Sequence, residues 1–410
     1  MRAIVVGAGM VGLSCAWFLQ EEGAEVTVVD REGVAAGASW GNAGWLSPSL
    51  TVPLPEPSVL RYGLKALLDH RSPLYVPVRV DTRLWRFLLA FARSCTPKRW
   101  HRGMAAYRPL NELALDAFDA LEVGGVQARS NPASIFAAFA DDREAEGLLD
   151  ELRLVAGTGQ AVDIELLTGD QARARQPLLS DAIALAVDVR AQRFINPGAY
   201  VGALADAVRA RGGEIRSGAT VTGVRRDGDR VLVETGNGTD PLHADAAIVA
   251  TGAWLPRLAA PHGVRTLVQA GRGYSFSVET ETPVRTPLYF PGARVACTPL
   301  NGRLRVAGMM EFRGPDDPLD PRRVAVIEQA TRPLLRGVDW SSRRDEWVGP
   351  RPVTPDGLPV IGPTATKGVF VAGGHGMWGI TLGPLTGRLL ARQVATGRVA
   401  PELAPFDPLR

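Results

Sequence analysis

Apolar residues in this chain fall into three rhythms. Short unbroken runs recur at wide intervals: Ala3–Val6, "AEVTVVD" (24–30), "DAAIVATGAW" (245–254) and "GVFVAGGHG" (368–376). Runs of this length without polar alternation mark strands covered on both faces, as in a parallel sheet. Period-2 stretches lie elsewhere. "TVTGVRRDGDRVLVETGNG" (220–238) predicts a hairpin turning at Asp227-Gly228-Asp229. From 264 to 312, "GYSFSV" and "RLRVAG" predict an antiparallel sheet. Helical spacing appears in "LSCAWFLQEEG", ending at Gly23, and in the amphipathic "TRLWRFLLAFARS" (82–94). It returns in "PGAYVGALADAVRARGGEI" (197–215), opened by Pro197 and closed by Gly212-Gly213, and in "ITLGPLTGRLLARQVATG" (380–397). Residues 50–110 are Pro-rich and then helical, and 111–190 helical and then mixed.

The parallel-strand signals thus sit in three separated blocks, with antiparallel and helical material between them. The expected fold is α/β: a discontinuous Rossmann-like nucleotide-binding domain from 1–80, 192–260 and 348–410. A second, α+β substrate domain with a mostly antiparallel sheet would take 81–191 and 261–347. The sequence shows no internal repeat and no low-complexity tract.

Composition narrows the function more by exclusion. With 410 residues, 46% of them hydrophobic, the chain can bury a large core. Its 46 basic and 43 acidic residues leave a net charge of +3, so no nucleic-acid field is implied. The basic residues are nearly all Arg; the lysines are Lys65, Lys98 and Lys367. Cys15, Cys95 and Cys297 are scattered, which argues against disulfides and against a Cys metal site. The N-terminus is too Gly-rich for a signal segment, and no apolar run reaches membrane-spanning length. A cytoplasmic protein is expected.

"GAGMVG" (7–12) follows the first strand at once and opens the first helix. Gly7 permits the tight turn, Gly9 lets a pyrophosphate approach the backbone, and Gly12 lets helix and strand pack closely. The helix N-terminus then presents free N–H groups and its positive dipole end to phosphate. Asp30, 18 residues after Gly12 at the end of the second strand, completes the dinucleotide pattern as an acceptor for ribose hydroxyls. The N-terminal placement of this unit, and two later strand-to-Gly junctions at "VATGAW" and "VAGGHGMWG", favour the long FAD over NAD.

One arginine stands apart. Arg351 lies between Pro350 and Pro352 in "VGPRPVTPDGLPVIGP" (348–363). Each proline fixes its own φ and extends the residue before it. A guanidinium held so rigidly suits a fixed anion, whereas the plainer use of an arginine is a solvated ion pair.

With these blocks in place, the chain resembles the D-amino acid oxidase superfamily of FAD-dependent amine and amino-acid oxidoreductases. It is most similar to the bacterial D-amino acid dehydrogenase branch, with glycine oxidase as a near relative. The resemblance rests on "GAGMVG…VVD" (7–30), "GASWGNAGWLSPS" (37–49), "RFINPGAY" (193–200), "VATGAW" (249–254), "GRGYSFSV" (271–278), "NGRLRVAGMME" (301–311), "GPRPVTPDGLPVIG" (349–362) and "GHGMWGITLGP" (374–384). It implies that Gly7, Gly9, Met10, Val11, Gly12, Asp30 and Arg31 bind the ADP half of FAD. Ser39, Gly41, Asn42, Ala43, Gly44 and Leu46 would lie along the pyrophosphate and flavin. Val221 would hold adenine through its backbone, with Thr251 and Gly252 close to the cofactor. Gly376, Met377, Trp378, Gly379, Ile380 and Thr381 would face flavin N1 and C2=O, where a helix N-terminus favours developing negative charge.

Arg351 matches the family arginine that grips the substrate carboxylate, and Tyr274 is the expected second contact, with a plain sheet position as its alternative. His375 is expected in a structural or flavin-edge role. Trp45, Trp378 and Met310 would wall the pocket or simply pack. The implied chemistry is oxidative deamination of an amino acid by hydride transfer from Cα to flavin N5, giving an imino acid, then a 2-oxo acid and ammonia. Glycine, sarcosine, D-proline or hydroxyproline remain open as substrates, as does a flavin subunit of a larger complex.

In the sarcosine oxidase branch a lysine near the flavin activates oxygen and a cysteine anchors the flavin. No lysine lies in a flavin motif here, and no cysteine follows Cys297. Non-covalent FAD and a dehydrogenase are therefore expected, with a quinone favoured over O2 as acceptor. Residues 82–94, with Arg83, Arg86, Arg93 and the following "KRWHR" (98–102), suit peripheral contact with the inner face of a membrane. The commoner use of such a helix is to bury its apolar face in its own domain.

Overall fold

The structure is a computed structural model that describes residues 1–57, 59, 72–77, 81–236 and 240–410. Lys65, part of the stretch expected to turn helical before 82, and the last residues of the 220–238 segment lie outside the described residues.

The strands are β1 (Arg2–Val6), β2 (Glu25–Val29), β3 (Trp45–Leu46), β4 (Leu74–Tyr75), β5 (Asn131–Phe139), β6 (Ile164–Thr168) and β7 (Leu185–Phe194). They continue with β8 (Glu214–Arg216), β9 (Val221–Asp227), β10 (Arg230–Thr235), β11 (Leu242–Ala244) and β12 (Ala246–Val249). The last are β13 (Gln269–Thr280), β14 (Leu288–Phe290), β15 (Val295–Leu300), β16 (Arg303–Phe312), β17 (Val338–Val353), β18 (Val360–Pro363) and β19 (Val369–Gly373).

The unbroken apolar runs assemble, among the described residues, into one six-stranded sheet ordered β18-β19-β12-β1-β2-β8. β1 pairs in parallel with β2 and β12, and β12 with β19; β18 alone runs antiparallel. Burial on both faces explains the missing polar alternation. Helices Met10–Glu21 and Gly379–Thr396 cover one face and touch along a glycine seam. A Cβ on Gly387 would lie 2.5 Å from the Ser14 carbonyl carbon. Each helix follows a strand of one parallel set, so both N-termini emerge at the carboxyl end of the sheet, where α/β folds hold ligands.

The alternating stretches build a second, largely antiparallel sheet, β17-β13-β16-β15-β14-β5-β7-β3, with β4 on β16 and β6 on β7. β17 sits at its end. An edge strand tolerates the missing N–H groups of Pro350 and Pro352, so the prolines persist inside a strand paired to Ala270 and Arg272 of β13. The strand runs through residue 348 without a break. Val221–Asp227 and Arg230–Thr235 form the expected hairpin, β9 against β10, joined to β11.

Two boundaries differ from expectation. The first helix starts at Met10, because Gly9 is itself the cap residue. The helix from Pro197 ends at Ala210, and Glu214–Arg216 joins the parallel sheet beside β2. In helix Thr82–Ser94, Leu84 and Phe87 are buried against Val76, Phe312 and Val353, so the apolar face serves the protein's own core. Trp85 and Leu89 stay exposed, at 48% and 58%. Among the described residues, no helix is long and apolar enough to cross a membrane.

Candidate functional site

A cavity of about 660 Å³ opens at the carboxyl end of the parallel sheet, within the usual range for cofactor sites of roughly 300–1,000 Å³. The Gly-rich turn forms its floor. Gly7 has φ +117°, and a Cβ there would lie 2.5 Å from the Ala250 carbonyl oxygen. A Cβ on Gly12 would lie 1.9 Å from the Gly7 carbonyl oxygen, so Gly12 serves helix packing and does not line the cavity. Met10 N–H donates to Ser39 Oγ at 3.1 Å, which ties the first helix to the loop after β2. The cap residue Gly9 has no side chain to cap this helix N-terminus, and Gly9, Met10 and Val11 face the cavity.

Asp30 acts as a hub for the turn. Ala8 N–H donates to its Oδ2, and the N–H groups of Glu32 and Gly33 donate to its Oδ1, each at 2.8 Å. A carboxylate has lone-pair capacity beyond three such bonds, so it still accepts from a ribose. Val221 lines this end of the cavity.

Asp316, which the sequence did not single out, closes the same end. It accepts from Trp254 Nε1 at 2.9 Å and pairs with Arg31 and Arg257, each at 3.1 Å. Burial raises the Asp316 pKa, but Trp254, Arg31 and Arg257 outweigh that and hold it below the usual carboxylate range. Arg31 lies over the Trp254 ring at 4.6 Å and lines the cavity beside it.

At the opposite end stands Arg351. Among the described residues no carboxylate pairs with it. Its Nη1 donates to the Met309 carbonyl oxygen at 2.6 Å. Burial pulls its pKa down to about 10, which leaves the guanidinium charged at neutral pH. Gly273 faces it across β13–β17: a Cβ on Gly273 would lie 2.2 Å from Nη2. Gly376 N–H donates to the Pro352 carbonyl oxygen at 2.9 Å, which locks the arginine strand to the loop before the last helix. Gly376, Met377, Gly379 and Ile380 line the cavity there, at a second helix N-terminus without a side-chain cap.

Tyr274 requires correction. Side chains alternate along β13, and Tyr274 shares its face with Phe276 and Val278 in a closed core. It is fully buried, and its hydroxyl donates to Glu311 at 2.5 Å. Burial, then Glu311, push its pKa up. It does not line the cavity; Gly273 and Ser275 occupy the opposite face, and Ser275 Oγ donates to the Gly41 carbonyl oxygen at 2.7 Å.

Several other nominated residues shape the wall without lining it. Leu46 is buried in the core beside the first helix. Gly41 packs on the Trp347 ring, and Gly44 against the Ile195 carbonyl. Ala43 lies between them, while Asn42 lines the cavity and accepts from Gly44 N–H at 2.9 Å. Thr381 Oγ1 donates to the Trp45 carbonyl and Trp378 Nε1 to the Val52 carbonyl, at 3.0 and 2.7 Å. Trp45 Nε1 donates to Thr298 Oγ1 at 2.9 Å, and Met310 packs over Gly271.

His375 is buried, with Nε2 3.0 Å from Thr386 Oγ1. Burial lowers its pKa to about 4, so it is neutral at pH 7. Cys15, Cys95 and Cys297 are buried, and none of them, nor Lys98 or Lys367, lines the cavity.

Residues 2–393 match the family described as DAO, FAD dependent oxidoreductase. The chain belongs to this family of FAD-dependent oxidoreductases. It is 33% identical over 416 residues to a D-amino acid dehydrogenase of Cereibacter sphaeroides, covering 99% of this chain and 94% of that one. It is 32% identical over 400 residues to one from Xylella fastidiosa, covering 95% and 91%. Among solved structures it is similar to glycine oxidase from Geobacillus kaustophilus, with TM-score 0.76, 23% identity, and coverage of 100% and 99%.

The cavity suits the family's cofactor on its own terms. Thr251 Oγ1 is buried, has no hydrogen-bond partner among the described residues and lies on the cavity wall, where a ligand could satisfy it. The glycine turn leaves backbone room for pyrophosphate, and two helix N-termini line the cavity, where they favour anionic groups.

Proposed function

We propose that this chain oxidises a free amino acid, a D-amino acid by preference, using non-covalently bound FAD, and delivers the electrons to a quinone-type carrier. The observation that carries this reading is the unpaired, desolvated guanidinium of Arg351 at the cavity end opposite Asp30. A buried cation without a carboxylate partner is costly, and an α-carboxylate would complete it with two parallel hydrogen bonds. The names of the D-amino acid dehydrogenase relatives support the D-configuration and a carrier in place of O2. The absence of cysteine from the cavity wall supports a non-covalent cofactor.

Asp30, Ser39, Thr251 and the amides of both helix N-termini would hold FAD. Bound FAD would supply the hydride acceptor that turns a Cα–N bond into an imine. The protein's part is orientation. Arg351 fixes the carboxylate, and with it the face and depth of Cα. Among the described residues only Met309 engages it, through Nη1, which leaves its remaining N–H groups for this. His375 has its Nε2 turned toward Thr386 and its pKa lowered by burial to about 4, which makes it a poor base for Cα–H, so the substrate amine must arrive with its own lone pair free. Water then hydrolyses the released imine to a 2-oxo acid and ammonia.

Anaerobic mixing with D- and L-amino acids and cyclic imino acids tests this reading, followed by loss of the oxidised-flavin band near roughly 450 nm. Bleaching by D-amino acids, with reoxidation faster by a quinone analogue than by air, is expected. Bleaching by L-amino acids alone would overturn the stereochemical assignment. Failure of every α-amino and imino acid would overturn the substrate class.

A further inference from the structure

Behind the adenine end of the cofactor cavity lies a second cavity of about 530 Å³, which the oxidation does not use. Trp254, Arg257 and Pro315 line both. The second is walled by the start of helix Thr82–Ser94, the segment leading into β13, and the turn after β16. Among the described residues, five arginines line it, Arg83, Arg86, Arg257, Arg265 and Arg313, against one carboxylate, Asp81.

The pairing of these groups leaves charge over. Arg257 is matched by Asp316 at 3.1 Å and Arg313 by Glu311 at 3.3 Å. Asp81 is already engaged as a helix cap, its Oδ1 accepting from the N–H groups of Arg83 and Leu84 at 3.0 and 3.1 Å. Arg83, Arg86 and Arg265 have no acidic partner among the described residues. An arginine-rich composition does not by itself explain this. Elsewhere the same chain shares single carboxylates between arginines, Glu165 between Arg175 and Arg190, Glu328 between Arg332 and Arg343. Arg83, Arg86, Arg257 and Arg265 are exposed, so solvent moderates their repulsion, but like charges ringing a concavity still draw an anion to it.

We propose that this cavity binds a phosphate-bearing anion. Several arginines lining one space match the multiple oxygens and double charge of a phosphate better than a single carboxylate does. The phosphate belongs either to a soluble phosphorylated compound or to the headgroup of an acidic phospholipid. Trp85 and Leu89, exposed on the helix that carries Arg83 and Arg86, make the second source physically accessible.

The test uses the full-length chain saturated with FAD, which closes the cofactor cavity to the probe. Inorganic pyrophosphate is titrated calorimetrically at about 50 mM salt, where screening is modest. Saturable binding is expected, weakened at least about 10-fold in an Arg83→Gln/Arg265→Gln double variant, in line with lost charge-assisted bonds. Arg209→Gln, which removes a remote surface pair with Asp206, should leave binding unchanged. Retained flavin absorbance in each variant reports an intact fold. No saturable binding, or equal weakening by Arg209→Gln, overturns the proposal. Sedimentation with phosphatidylglycerol and with phosphatidylcholine vesicles separates the sources. Binding to the acidic vesicles alone, released by pyrophosphate, identifies the headgroup; pyrophosphate binding without vesicle binding identifies a soluble ligand. Vesicle binding indifferent to both pyrophosphate and the double variant counts against the cavity.

Discussion

Arg351 Nη1 donates to the backbone carbonyl of Met309 at 2.6 Å, and Met309 is a buried non-glycine residue with φ +68°. The left-handed conformation arises at a register slip between β13 and β16, where Arg272 pairs with Glu311 but Tyr274 pairs with Gly308. One residue of β13 therefore opposes two of β16, a bulge that aims the Met309 carbonyl at the guanidinium. Such backbone costs roughly 1–3 kcal/mol and persists where the surroundings over-determine it. The prolines beside Arg351 hold its backbone, and this bulge holds its head.

If the Met309 backbone sets the arginine, Met309→Val and Met309→Gly should diverge. A β-branched side chain resists positive φ, whereas glycine adopts it freely. The valine variant is expected to raise the substrate KM about 10-fold with little change in FAD affinity, and the glycine variant to keep the parental KM. Steady-state kinetics with flavin titration decides. Equal KM in the two variants would show that the side chain, not the backbone, matters there.

Gly273→Ala probes the other side of the guanidinium. The new Cβ would fall 2.2 Å from Nη2, so the arginine head must move. A displacement near 1 Å in a positioning group costs about 100-fold in rate, so kcat/KM should fall by that order while the flavin spectrum stays unchanged. Arg351→Ala should cost as much or more, the expected consequence of losing one partner of a desolvated charge pair. If Arg351→Ala removed FAD and substrate binding equally, the carboxylate role would be wrong.

These contrasts show which parts of the site a sequence can disclose. The Gly7–Gly12 turn and Asp30 are local: strand, turn and helix adjoin in the chain, so spacing alone places them. Arg351 announces itself through its flanking prolines. Tyr274 was misplaced because the facing of β13 is set by its pairing with β16, and a bulge there is a non-local event that alternation does not reveal. Leu46 and Thr381 turn their side chains into the packing, Leu46 into the core beside the first helix and Thr381 onto the Trp45 carbonyl; the role expected of Thr381 is a backbone one that its side chain does not decide. Asp316 gave no sign, since its meaning depends on Trp254, Arg31 and Arg257 arriving from distant segments.

Asp30 couples the turn to the cofactor. Asp30→Asn leaves one oxygen to accept but places an N–H donor where either Ala8 N–H or the Glu32 and Gly33 pair now donates. The loss of one charge-assisted bond, roughly 1.5–3 kcal/mol, should weaken FAD binding by at least about 10-fold. Fluorescence titration of the apoprotein with FAD measures this. The KM of the FAD-saturated variant should stay within about twofold of the parent's, because Arg351 lies at the other end of the cavity.

His375 predicts an acid-sensitive component of stability. Burial depresses its folded pKa to about 4, below the ordinary value of 6.5. The unfolded chain therefore binds a proton at pH values where the folded chain does not. The stabilisation is fully present above about pH 6.5 and drains as pH falls toward 4, below which both states are protonated. At roughly 1.4 kcal/mol per pH unit of difference, its ceiling is about 3 kcal/mol. Urea unfolding of the parent and of His375→Gln at pH 7 and pH 4.5 isolates the term, because the other titrating groups are common to both. The parent should lose about 2–3 kcal/mol more than the variant over that interval. Parallel losses in the two proteins would mean that the imidazole titrates in the folded state as it does in the unfolded one, and would reopen His375 as a proton carrier beside the substrate.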